Sequence, residues 1–203
     1  ADNIEYDTSG HRKRRLGTTR YNSTALNHSG AAAATFLALA DYWRHGTSAT
    51  TPTQKYVAIA GDKIAKDDID GTWDDLDASG FGTTAGVDSN ICLAQGFAVF
   101  MSSNDETVRT WDQSSMANLT ATPKFTGAVY HLRRLFTFGE TTPISGSANP
   151  SKSTFTAAGD ITDFAGADAG NIILDEDDGD RIVGISQPLH GSRPADSRPC
   201  GHG

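Results

Sequence analysis

Apolar and polar positions alternate along most of this chain with the two-residue period of β-strands, in short runs. The stretch "YVAIAGDKIAKDDIDGTWDDL", Tyr56 to Leu76, shows the pattern, with strands predicted over Lys55 to Ala60 and Lys63 to Lys66. Gly61-Asp62 between them is a two-residue hairpin signal, because tight hairpin turns need a residue at positive φ. "DDIDG" reads as a solvated acidic turn, and Thr72-Trp73 starts another strand. The same grammar returns in "NICLAQGFAVFMSSNDETVRTWDQS". Here strands are predicted over Asn90 to Ala94, Phe97 to Met101 and Thr107 to Trp111, around Gly96 and a solvated "SSNDE" turn. A looser third copy has strands at Ala128 to His131 and Leu135 to Phe138. It continues through "STFTAAGDITDFAG", where Asp163-Phe164 stands in place of Trp-Asp, and "NIILDEDDGDRIVGI" reads as strand, acidic turn, strand.

Upstream, "NIEYDTSGHRKRRLGTTRYN" reads as a hairpin turning at Ser9-Gly10, with Gly17 to Tyr21 extended. The alanines of "AAAATFLALADYWR" favour helix. The Ser-Gly before them and Tyr42-Trp43 after them favour strand, which is assigned over Thr35 to Arg44. Short strands with turn signals about every 8–12 residues argue an all-β chain. A self-similar unit of about 40–45 residues argues propeller blades rather than a sandwich of hairpins. The expected fold is β-propeller-like, with about three blades of short antiparallel strands in an open or incomplete ring, since closed propellers have about 4–8 blades. Trp73, Trp111 and Phe164 are expected to fill the space between blades, at about 1.5–3 kcal/mol for each fully buried large side chain. The division is a lead-in hairpin over residues 1–22, blades over 23–187 and an irregular tail over 188–203.

The net charge of -8 opposes general nucleic-acid binding, which needs a positive field. The basic cluster His11 to Arg15 with Arg20 reads as a solvated strand or a contact with an acidic neighbour. No apolar run reaches the roughly 18 residues of a membrane span, and the first residues lack the charge-then-apolar order of a signal peptide. The 2 cysteines, Cys92 and Cys200, make no disulfide framework and fit a reducing compartment. Cys92 reads as a small buried apolar residue.

Two clusters are candidates for metal chemistry. In "LDEDDGD", Asp175, Asp177 and Asp180 place carboxylates before and after a glycine, where oxygens can converge on calcium; a solvated acidic turn is the simpler reading. His190, Cys200 and His202 offer two nitrogens and a sulfur, the three-ligand count of a catalytic zinc site, without the spacing of a structural one; adventitious or no binding is the simpler reading, and no cofactor is expected. His28, His45 and His131 stand alone in sequence. No nucleophile elbow, zincin motif or phosphate loop is present. An enzyme in this chain would draw on Asp/His pairs brought together at the propeller axis.

The lead-in "ADNIEYDTSGHRKRRLGTTRYN" resembles that of β-propeller virion proteins of tailed bacteriophages, the tail nozzle and tail-tip or fibre-associated propellers. "ADYWRHGTSATTPTQKYVAIAGDKIAKDDIDGTWDDL", "NDETVRTWDQSS", "VYHLRRLFTFGE" and "GDITDFAGADAG" resemble their successive blade segments. Against that pattern the segment before Asn3 is missing, and "PLHGSRPADSRPCGHG" replaces a further blade, so the chain resembles a truncated member. The resemblance implies a structural tail component that contacts other virion proteins and is assembled in the bacterial cytoplasm. An open ring further implies a homodimer or larger homo-oligomer. Two other readings stay open. One is a carbohydrate-binding propeller using Trp43 or Tyr130 as a platform. The other is a hydrolase, metal-dependent through zinc or calcium, in a propeller fragment.

Overall fold

The computed structural model describes residues 4–6, 12–14, 27–28, 31–32, 36–44, 53–76, 81, 88–102, 107–119, 123–142, 149–174 and 182–185. Every regular element among them is a β-strand. Two short antiparallel pairs come first: β1 (Ile4–Tyr6) with β2 (Arg12–Arg14), and β3 (Asn27–His28) with β4 (Ala31–Ala32). The first pair falls within the stretch read as a hairpin, and the turn expected at Ser9-Gly10 lies outside the described residues.

Three four-stranded antiparallel sheets follow, each a meander in chain order. The first holds β5 (Phe36–Arg44), β6 (Thr53–Ala60), β7 (Lys63–Asp67) and β8 (Trp73–Asp75). In the second are β9 (Ser89–Ala94), β10 (Phe97–Ser102), β11 (Arg109–Trp111) and β12 (Met116–Asn118). The third consists of β13 (Lys124–His131), β14 (Arg134–Thr142), β15 (Lys152–Phe155) and β16 (Gly170–Ile173). The alanine-rich segment is therefore a strand from Phe36, as its aromatic end dictates.

Strand alternation sends side chains of the middle sheet both ways. Ala98 and Phe100 of β10 join Tyr42, Val57, Ile59 and Ile64 of the first sheet, with Trp111 and Phe81, in one core cluster. Val99 and Met101 join Phe125 and Leu135 of the third sheet, with Ile161 and Phe164, in another. The first strands of the sheets lie side by side, β9 packing on both β5 and β13. Among the described residues, each end sheet has one face on the middle sheet and the stack does not close on itself.

The sequence repeat and the sheets are out of phase by one strand. The first copy occupies β6, β7 and β8, and the second occupies β9, β10 and β11, because β5 precedes the first copy inside its sheet. The two tryptophans are consequently not equivalent. Trp111 ends a third strand and is 3% exposed in the core. Trp73 begins a fourth strand, is only half-buried, and packs on Phe36 with ring centroids 5.3 Å apart. Phe164 does fill an inter-sheet space, but from the loop before β16 and not from a strand. "RIVGI" forms no strand in its described part, 182–185.

The "DDIDG" turn also differs from a solvated loop. Asp67 is fully buried, and its Oδ1 accepts from the backbone N–H groups of Asp70 and Gly71 at 3.0 and 3.2 Å. Asp68 pairs with Lys55 and Lys66 at 2.8 and 2.9 Å. These contacts hold Ile69 at a φ of 67°, a left-handed conformation that a β-branched residue rarely adopts.

Candidate functional site

A cleft of about 470 Å³ opens where the first strands converge. Leu37 of β5, Asp88 and Ser89 at the start of β9, Thr126 of β13, Phe138 of β14 and Val183 line it. Each sheet thus contributes a wall. Next to Val183, the Ile182 N–H donates to the Pro150 carbonyl at 3.0 Å, which holds this segment beside the third sheet. Phe138 is seated by Gly127, its partner across β13 and β14. A Cβ at Gly127 would lie 2.2 Å from the Phe138 ring, so only glycine leaves room for it.

The lining mixes an apolar wall with short polar groups. The Ser89 hydroxyl is buried without a hydrogen-bond partner, a state that normally costs stability unless a ligand or water supplies one. Thr126 Oγ1 lies 3.5 Å from the Phe138 carbonyl. The cleft can therefore offer hydrogen bonds beside an apolar surface. Among the described lining residues, Asp88 supplies a carboxylate and Ser89 and Thr126 supply hydroxyls. None of these lining residues is singled out by the sequence pattern.

The six proposed metal ligands, Asp175, Asp177, Asp180, His190, Cys200 and His202, lie outside the described residues. Among the described residues no group of three His, Cys, Asp or Glu side chains is placed to hold a metal ion. Of the two aromatic platforms, Trp43 is 50% exposed on β5, whereas Tyr130 packs half-buried against the cluster between the second and third sheets. Cys92 is buried in that cluster, as expected, and burial pushes its thiol up to about 11 against a weaker opposing backbone hydrogen bond with Tyr130. Among the described residues, no helix is long and apolar enough to cross a membrane.

Compared with known protein families, curated proteins and solved structures, the chain shows no significant match to any of them.

Proposed function

We propose that the three sheets are consecutive blades of an incomplete β-propeller, and that the chain is a structural component of a phage tail, in contact with other copies of itself and with other virion proteins. The observation that carries the assembly reading is apolar surface at both ends of the stack. Phe36, Leu39 and Trp43 are 48, 63 and 50% exposed on β5, and Ile172, Ile173 and Leu174 are 47, 39 and 70% exposed at β16. Large side chains left in water at the ends of an open stack favour association, at about 1.5–3 kcal/mol for each one fully buried. A two-fold pair would join about six blades, within the range of closed propellers. The meander topology and the adjacent first strands support the blade reading.

Light scattering of the purified chain at low micromolar concentration tests this reading. A dimer or larger assembly is expected, dissociated by Leu39→Glu or Trp43→Glu. A folded monomer would remove the argument from the open ends. A second reading, carbohydrate binding at the Trp43 ring, rests on that ring's exposure, and a glycan array with wild type and Trp43→Ala distinguishes it.

A further inference from the structure

The third sheet carries a second cavity, of about 240 Å³, lined by Glu140 of β14, Lys152 and Thr154 of β15, Asn171 of β16 and Phe164 of the preceding loop. Strand geometry assembles the polar side. Lys152 and Thr154 are two residues apart and share a face, and Thr154 stands directly opposite Asn171. The Glu140 side chain is only 4% exposed, with Lys152 Nζ 2.8 Å from its Oε2. That contact is Coulombic, without the alignment of a hydrogen bond, and Oε1 has no hydrogen-bond partner. A buried carboxylate oxygen without a donor is costly, and the Glu140 side chain that carries it is part of the cavity lining.

We propose that this cavity binds a neutral polyhydroxy ligand, a single hexopyranose unit. The charge balance selects the class. A cation drawn to Oε1 would sit beside the Lys152 ammonium, and an anion drawn to Nζ would meet Glu140, so either is opposed by the other partner. A hydroxyl group both donates and accepts. One sugar hydroxyl can donate to Oε1 while its neighbour accepts from Nζ, and the Asn171 amide offers a further donor and acceptor. The Phe164 ring supplies apolar surface for the C–H face of the sugar. At about 240 Å³ the cavity is smaller than the roughly 300–1,000 Å³ of sites for drug-sized ligands, which limits it to one ring. The site uses none of the exposed residues of β5 and only Asn171 of β16, beside Ile172. It goes beyond the assembly reading, and saturation transfer to a sugar reads it separately from the oligomeric state.

Saturation-transfer NMR on the full chain tests the proposal, with D-glucose, D-galactose, D-mannose and N-acetyl-D-glucosamine as probes and acetate and ethylammonium as charged comparisons. Transfer to at least one hexose, exceeding transfer to either charged probe, is expected. Glu140→Gln and Asn171→Ala should each weaken that hexose by about tenfold or more, the scale of a lost hydrogen bond to a charged or buried group, and Trp43→Ala should leave it unchanged. Asn171 is exposed, so its variant reports on the site where Glu140→Gln perturbs folding; circular dichroism checks both. No transfer to any of the four sugars overturns the proposal. So do stronger transfer to a charged probe, binding that survives both cavity variants, and binding abolished by Trp43→Ala.

Discussion

Tyr42 shows how a single side chain can tie two sheets together. Its ring is 1% exposed and meets Trp111 edge-on at 5.7 Å, and its hydroxyl donates to the Gly96 carbonyl in the hairpin between β9 and β10. Burial pushes the phenol up to about 12, with Arg44 lowering it and Asp112 raising it, so the hydroxyl stays a neutral donor at physiological pH. Because the folded value lies above the ordinary value of 10.0, this contribution is complete below pH 10.0 and is lost as pH rises toward 12. Tyr42→Phe keeps the ring and removes the hydroxyl donor from the part-buried Gly96 carbonyl. It should lower stability by about 1–2 kcal/mol, read as a lower urea midpoint at unchanged slope. An unchanged midpoint would mean that the ring alone joins the sheets. The alternation around Tyr42 made its strand legible in sequence. Its partner at Gly96 was not, because the contact spans 54 positions and no local pattern encodes it.

At the scale of elements, the hairpins were legible and their grouping into sheets was not. Gly61 and Gly96 sit at φ of 60° and 77°, as the turn reading requires. The hairpin of β13 and β14 turns instead on Leu132 and Arg133 at φ of 48° and 64°, where no glycine marks the positive φ. Repeated strings record similar hairpins, but which strand begins a sheet depends on the neighbour it packs against, and β5 takes that place in the first sheet. The tryptophans separate the two descriptions. Trp111→Ala opens the core between the first and second sheets and should cost about 3–5 kcal/mol. Trp73→Ala removes a half-buried ring on a fourth strand and should cost clearly less, as measured by urea denaturation of both variants. Equal losses would restore the in-phase repeat and make the two residues equivalent.

For the whole molecule, the stack itself predicts where stability resides. The middle sheet buries both of its faces, and each end sheet packs one face on it. In β10 every residue from Ala98 to Ser102 is buried, with alternate side chains in the two clusters. By contrast, Asn171, Ile172 and Ile173 of β16 are exposed, as are Asp74 and Asp75 of β8. The cleft and the Glu140–Lys152 pair come from the same arrangement: three first strands brought together, and three strands of one sheet. Alternation within a strand carries no trace of either, which is why neither was legible in the sequence. In such stacks, opening at an end costs only one interface, whereas exposing the middle requires breaking both. Hydrogen exchange should therefore find the slowest amides at Ala98 to Met101 and faster exchange in β8 and β16, in a gradient outward from the middle sheet. Uniform protection across the three sheets would show that the stack opens as one unit. Slowest exchange in an end sheet would show that its outer face is held more firmly than the middle sheet, as a tight pairing of the open ends would do, and the outward gradient would fail.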